Sequence, residues 1–219
     1  MDFLLDTNTI RFKYGASEAP AETIKAVENF FQYTDALKDV YNFVVPWQVG
    51  SELRIYIYRI RNNHQENSDF QDKAGKVEKY IKDIDFVNSI EDYQLEEDIR
   101  IFFEYLNSKY KFLYEDGTKI KLKGLKSDDA RILLTAIQED HSIVTNNVKD
   151  FIPILAFEKA IWDPVNDKIY WLSPDSARVF YEDENIKQWV ERIRNKFSLS
   201  VPIEKEKNIL EAIKKDRKE

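Results

Sequence analysis

The chain has no cysteine among its 219 residues. That absence excludes disulfides, thiolate nucleophiles and Cys-type zinc sites. Histidine is almost as scarce. His64 and His141 are the only two, too few for an imidazole metal centre or a histidine-driven triad. One lies in a polar loop and the other just before a strand, so both read as structural or solvent-exposed groups. Glycine is limited to five residues. Neither Gly-x-Gly-x-x-Gly nor a P-loop occurs, which argues against nucleotide folds whose backbone must approach phosphates. No apolar run approaches the ~20 residues of a membrane span. Met1-Asp2 is not followed by a basic region and an apolar stretch, so no signal peptide is expected. The expectation is a cytoplasmic protein with no membrane partner.

What is present is a well-provisioned core. Hydrophobic residues make up 43% and charged residues 33%, the balance of a globular domain. Aromatics are abundant, with 12 Tyr, 14 Phe and 4 Trp. The net charge is −7. Residues 165–219 hold 12 basic and 11 acidic side chains, leaving −8 on residues 1–164. An acidic domain does not bind nucleic acid by bulk charge. It needs a metal cluster or local lysine patches, and it also suits a basic protein partner.

Strand and helix signals alternate through the first three quarters. Strands are expected at residues 2–5, 42–45, 142–145 and 159–162. A helix is expected from Pro20 onward and another from Trp47, the latter closing in a loop from Arg61 to Asp69. Two amphipathic helices follow, one through Phe70, Ala74, Val77 and Ile81, the other through Leu95, Ile99, Phe102 and Leu106. Residues 110–123 alternate around Asp116-Gly117, a hairpin signal. Ser127 is suited to cap a helix over 128–139. Strand-like pieces surround Trp162 and Trp171. Helices are expected from Pro174, around Trp189, and from Pro202, with a charged tail at 214–219. This order reads as an α/β fold, with residues 165–219 as a mainly helical C-terminal extension packed on the core.

Four acids fall at strand ends or early helical turns of this pattern: Asp6, Glu52, Asp129 and Asp150. In a parallel sheet the strand carboxyl ends share one edge, where ligands sit. Carboxylates gathered there repel one another unless protons or a cation intervene. Mg²⁺ or Mn²⁺ is the natural partner, since both prefer oxygen ligands. Thr7, Asn8, Thr145 and Asn147 supply hydroxyls and amides able to orient metal-bound water. Each acid also has a bland reading. Asp6 and Asp150 could be caps, Asp129 a first-turn acid with Asp128 as the rival ligand, and Glu52 a solvated helix acid beside Tyr56 or Arg59.

Four segments resemble the PIN-domain ribonucleases found as VapC toxins of bacterial toxin–antitoxin pairs. Phe3-Leu4-Leu5-Asp6-Thr7-Asn8 is similar to the family's opening strand and Asp-x-Asn. Val44 to Leu53 resembles its second segment, with Glu52-Leu53 in a helix. Asp129-Ala130 opening an apolar helix resembles the third, and Thr145-Asn146-Asn147-Val148-Lys149-Asp150-Phe151 the fourth. The step of 16 residues from Asp129 to Thr145 is one the family also favours. The resemblance covers about residues 1–164. It implies a three-layer α/β/α domain with a mostly parallel central sheet, a Mg²⁺ or Mn²⁺ cofactor, and RNA as substrate. It implies Asp6 and Asp129 as direct metal ligands, with Glu52 and Asp150 completing the site directly or through water. A toxin of this class also implies an antitoxin protein partner.

Three departures stand out. The stretch between Glu52 and Asp129 is long, with an insertion around 109–126. The extension after Pro164 lies beyond the minimal domain. Asn147 stands where some members place an acid. The lysines of the insertion, Lys109, Lys111, Lys119, Lys121, Lys123 and Lys126, form the main basic patch, with Lys119, Lys121 and Lys123 as candidate RNA contacts. Trp162, Trp171 and Trp189 read as packing of the extension or as a homodimer contact. Two other functions compete. One is a non-catalytic module that binds RNA or protein. The other is an aspartyl-nucleophile phosphatase of the haloacid dehalogenase type, weakened because Asn8 occupies the position of its general acid.

Overall fold

The computed structural model describes residues 2–15, 19–37, 39–114 and 116–197. The first strand, β1 (Asp2–Leu5), is short because only three apolar residues precede Asp6. Phe3, Leu4 and Leu5 point to alternate faces, yet all three are fully buried. A strand buried on both faces needs cover on both, and that forces a layered fold. Five more strands join it: β2 (Asn42–Pro46), β3 (Phe86–Val87), β4 (Ser142–Val144), β5 (Ile161–Asp163) and β6 (Lys168–Tyr170). Their order is β3-β2-β1-β4-β5-β6. Every pairing is parallel except β5 with β6. The domain is a three-layer α/β/α fold with a mostly parallel sheet, α/β as the sequence pattern indicates and three-layered as the resemblance implies.

Between the strands run α1 (Thr7–Lys13), α2 (Ala21–Asp35), α3 (Trp47–Asn63), α4 (Ser68–Asp83), α5 (Tyr93–Lys109) and α6 (Ser127–Gln138). The short α7 (Val148–Phe151) passes directly into a 3-10 helix (Ile152–Phe157), and α8 (Pro174–Glu182) and α9 (Glu184–Lys196) close the described chain. Aromatic packing fixes one side of the sheet. Trp162 sits 5.4 Å from Phe3 and 4.7 Å from Phe30 on α2, ring centre to ring centre, with Tyr41 also at 5.4 Å. Trp162 is therefore a core residue of β5 and not part of a peripheral appendage.

Several expectations are corrected. The polar run after Asp6, where the sequence marks no helix, starts α1, and Thr7, Thr9, Ile10 and Phe12 are buried there by the tertiary fold. The polar stretch from Arg61 is only partly a loop. Helix α3 continues to Asn63, and Asn67 then caps α4 by accepting from the Asp69 and Phe70 amides. Ser127 does not cap α6. Lys126 holds that position and Ser127 is the first helical residue. The hairpin around Asp116-Gly117 is reduced to one antiparallel bridge, Leu113 to Lys119. Gly117 supplies the turn with φ 81°, a conformation that suits glycine. The two-residue β3 and the α7 to 3-10 segment carry too few residues to leave a periodic signal.

The sheet runs past residue 164, since β6 is its antiparallel edge. Beyond it, α9 lies against α5. Trp189 approaches Phe102, and Arg192 pairs with the buried Asp98 at 2.8 Å. Asp183 caps α9 and also accepts from Tyr105, Lys109 and Tyr110. Lys109 is thus held in an ion pair and is no free member of a basic patch. Trp171 is 66% exposed. The helix expected from Pro202 and the tail at 214–219 lie outside the described residues. Among the described residues, no helix is long and apolar enough to cross a membrane.

Candidate active site

The strand order reverses between β1 and β4, because β2 leaves β1 on one side and β4 lies on the other. Such a switch point leaves a crevice beyond the strand carboxyl ends. Asp6 and Thr145 are the first residues after these two strands. Their register is set by the sheet, with Leu5 opposite Val144. The Asp6 amide donates to the Val144 carbonyl at 3.1 Å. The Thr145 hydroxyl donates to Asp6 Oδ2 at 2.9 Å.

Asp6 is the N-cap residue of α1 by backbone geometry, yet its carboxylate makes no capping hydrogen bond. The bland reading of Asp6 as a cap therefore fails. Its side chain is buried, at 5% exposure. Burial lifts its pKa from 3.8 to about 7, aided by the charges of Asp129 and Glu52 and opposed by the Thr145 hydroxyl and the Thr7 amide. Asp129 stands in the first turn of α6. Burial again is the main cause of its rise to about 6, with Asp150, Glu52 and Asp128 adding to it and Lys126 opposing it. The four sequence-selected acids thus act on one another electrostatically, although they come from four separate segments.

Glu52 lies on α3, where Thr7 Oγ1 donates to Oε2 at 2.6 Å. The Gln48 amide donates at 3.1 Å to Oε1 of Glu52 and at 3.1 Å to Asp128. Glu52 is therefore turned toward the switch point and not paired with Tyr56 or Arg59. Asp128 is exposed and tied to Gln48. Gln48 was not singled out from the sequence. Its spacing of four residues before Glu52 on a helix is the signal that marks it.

Asn147 is the N-cap of α7, and its amide nitrogen donates to the Asp150 carboxylate. The Asn147 backbone N–H donates to Thr145 Oγ1 at 2.9 Å, so the Thr145 hydroxyl is oriented toward Asp6. Asn146 Oδ1 is buried without a hydrogen-bond partner. Asn8 accepts from Arg11 at 3.4 Å, and Arg11 lies over the Tyr56 ring at 4.1 Å. Lys119, Lys121 and Lys123 are exposed on the segment that leads to Lys126.

The donor set is made of hard oxygen atoms, which fits Mg²⁺ or Mn²⁺. A buried and a half-buried carboxylate with raised pKa values, Asp6 and Asp129, also form a site that a cation would relieve. Among the described residues, however, no three acids stand close enough together to hold an ion at once. The arrangement suits an ion bound by one or two carboxylates that keeps several waters, the usual habit of Mg²⁺.

No family model matches the chain, and no curated protein matches it. Solved structures do. FitAB bound to the IR36 DNA fragment is 17% identical, with a TM-score of 0.47 over 74% of this chain and 95% of that one. FitAcB from Neisseria gonorrhoeae is 18% identical, with a TM-score of 0.42 over 74% and 97%. VapBC2 from Rickettsia felis, bound to a DNA fragment from their promoter, is 17% identical, with a TM-score of 0.38 over 69% and 92%. At such scores the site stands on its own residues and not on these likenesses.

Proposed function

We propose that this chain is a divalent-metal-dependent endoribonuclease of the PIN type, acting as the toxin of a toxin–antitoxin pair. One observation carries the reading. Asp6, buried, and Asp129, half-buried and far from it in sequence, meet at the strand switch point, where the Asp129 charge helps to raise the Asp6 pKa and the Glu52 charge raises both. A chain that uses these acids only for structure would leave the repulsion unanswered. An RNA phosphodiester is the substrate class for which such a site is suited, because bound metal would offset negative charge building on the phosphate and make its bound water a better nucleophile.

Asp6 and Asp129 would hold the metal, and Glu52 and Asp150 would reach it directly or through water. Thr145 fixes the Asp6 carboxylate through its Oδ2 oxygen. Thr7 and Gln48 position Glu52, and Asn147 positions Asp150. Lys126 tempers the charge on Asp129. A protein of net charge −7 whose active edge is acidic also suits a basic antitoxin segment as its inhibitor.

The test is cleavage of labelled RNA with and without Mn²⁺ by the wild-type chain and by Asp6→Asn and Asp129→Asn. Loss of cleavage in both folded variants, and metal dependence in the wild type, are the expected results. Equal cleavage by both variants sinks the reading. A second reading, a non-catalytic module that binds RNA or protein, is favoured by the spacing of the acids, no three of which stand together as described. It predicts RNA binding without cleavage and no Mn²⁺-dependent rise in melting temperature. The phosphatase reading has less support, because Asn8 is neutral and faces Arg11.

A further inference from the structure

Beside the acidic edge lies an aromatic stack that none of the residues assigned above uses. Trp47 is the first residue of α3, directly after Pro46 at the end of β2. Its ring lies on that of Phe86 from β3, with centres 4.6 Å apart and planes 19° from parallel. The Arg54 guanidinium carbon is 5.1 Å from the Trp47 ring centre and 5.7 Å from that of Phe86. Trp47 is nonetheless 44% exposed. A large aromatic ring supported from below by another ring and flanked by a guanidinium has the form of a stacking surface.

The surface is built into the fold. A Cβ on Gly50 would lie 2.5 Å from Phe86 Cε1. The glycine therefore lets Phe86 lie flat on the first turns of α3 and support Trp47. The Gln48 backbone N–H donates to Ser89 Oγ at 2.7 Å, which ties the start of α3 to the loop after β3. The next link reaches the acids, since the Gln48 side chain bonds Glu52 and Asp128. Trp47 is thus one residue away from the group that positions Glu52.

We infer that Trp47, with Phe86 beneath it and Arg54 beside it, is a nucleobase-binding subsite that stacks one base of single-stranded RNA next to the scissile phosphate. The inference rests on the ribonuclease reading. Its chemistry answers a difficulty of that reading. An acidic protein with a carboxylate-lined edge repels a polyanion, so its substrate must be held by contacts that do not depend on net charge. Base stacking is such a contact, and it is tolerant of base identity. Arg54 adds a local positive charge for the adjoining phosphate.

The experiment measures binding of a 5′-labelled single-stranded oligoribonucleotide to the full chain carrying Asp129→Asn, which blocks cleavage, with and without Trp47→Ala. Trp47→Ala is expected to weaken binding roughly tenfold, the scale of one lost stack. Trp47→Phe is expected to retain most of the affinity, and Arg54→Met to flatten the salt dependence while Trp47→Ala leaves it unchanged. An abasic replacement at one nucleotide should weaken binding to the Trp47 form and have no further effect on Trp47→Ala. Wild-type affinity in Trp47→Ala at an unchanged melting temperature overturns the inference alone. So does additivity of Trp47→Ala with the abasic replacement at every position. Should Trp47→Ala misfold, the inference stands or falls on Arg54→Met and on retention of affinity by Trp47→Phe. Unchanged RNA binding with a loss of self-association in sedimentation assigns the surface to a second copy of the chain and overturns it too. A wild-type chain that neither binds nor cleaves RNA removes the ribonuclease reading together with the inference.

Discussion

The Thr145 hydroxyl donates to the Asp6 carboxylate at 2.9 Å, across 139 residues of chain. Thr145 Oγ1 is itself oriented by the Asn147 backbone N–H at 2.9 Å, so the proton it carries points at Asp6. This bond is the chief local force that holds the Asp6 pKa down against burial. Thr145→Val keeps the shape and removes the donor. The Asp6 pKa is then expected to rise above about 7, so that RNA cleavage falls about tenfold at neutral pH, the scale of one lost hydrogen bond to a charged group. A pH–rate profile checks it, with its acidic limb displaced to higher pH. An unmoved limb would contradict the positioning role.

The two raised acids make stability depend on pH. Asp6 rises from 3.8 to about 7 and Asp129 from 3.8 to about 6. Over that range the folded state holds protons that the unfolded state has released. The metal-free protein is therefore expected to lose stability as pH rises from about 4 to about 7, by on the order of 4 kcal/mol for the buried Asp6. Denaturant titrations at a series of pH values measure the slope. Asp6→Asn and saturating Mn²⁺ should each reduce it, the first by removing the group and the second by binding the charged form.

Asp183 shows the opposite behaviour. Burial pushes its carboxyl up, but donors from Lys109, Tyr110, Tyr105 and the Asn185 amide outweigh burial and hold it well below the usual carboxylate range. Stability from a depressed acid is present above its unfolded pKa and is lost as pH falls below about 4. Asp183→Asn is expected to destabilise the fold by about 1–3 kcal/mol at neutral pH, because it weakens the hydrogen bonds from Tyr105, Lys109 and Tyr110 that hold the seam between α5 and α9. Urea unfolding at pH 7 and pH 3 distinguishes the two forms, and their difference should shrink at pH 3.

Gly50→Ala places a methyl group against Phe86, 2.5 Å from Cε1 and 3.2 Å from Cζ. Overpacking of this kind costs about 1–3 kcal/mol. Thermal melts are expected to show a fall of several degrees, and Phe86→Leu in the same chain should recover part of it. Full stability in the single variant would mean that the ring can move aside freely.

Much of the site can be read in the sequence because its chemistry sits at places that local signals mark. Asp6 ends an apolar run, Asp129 opens an amphipathic helix, and Asp150 follows the strand ending at Val144. Their roles in one another's titration could not be read there. Asp6 and Asp129 interact only because β1 and the start of α6 meet at one edge. Nor could it be read in the sequence that the Asn147 side-chain amide donates to the Asp150 carboxylate. Gln48 carried a legible spacing to Glu52, but a helical pair four residues apart is too common to single out. Helix α1 was hidden because polar Thr7 and Thr9 are buried only by what packs around them.

The sequence by itself determined that the chain would be α/β. Hydrophobic periodicity and strand-breaking residues act over a few positions, and no distant contact is needed to read them. It also determined which acids lie at element ends. The tertiary structure alone decided that β4 sits beside β1, so that Thr145 holds Asp6. It also decided that Gly50 admits Phe86 beneath Trp47. These are contacts between segments, set by sheet order and close packing. Neither leaves a trace in the spacing of residues along the chain.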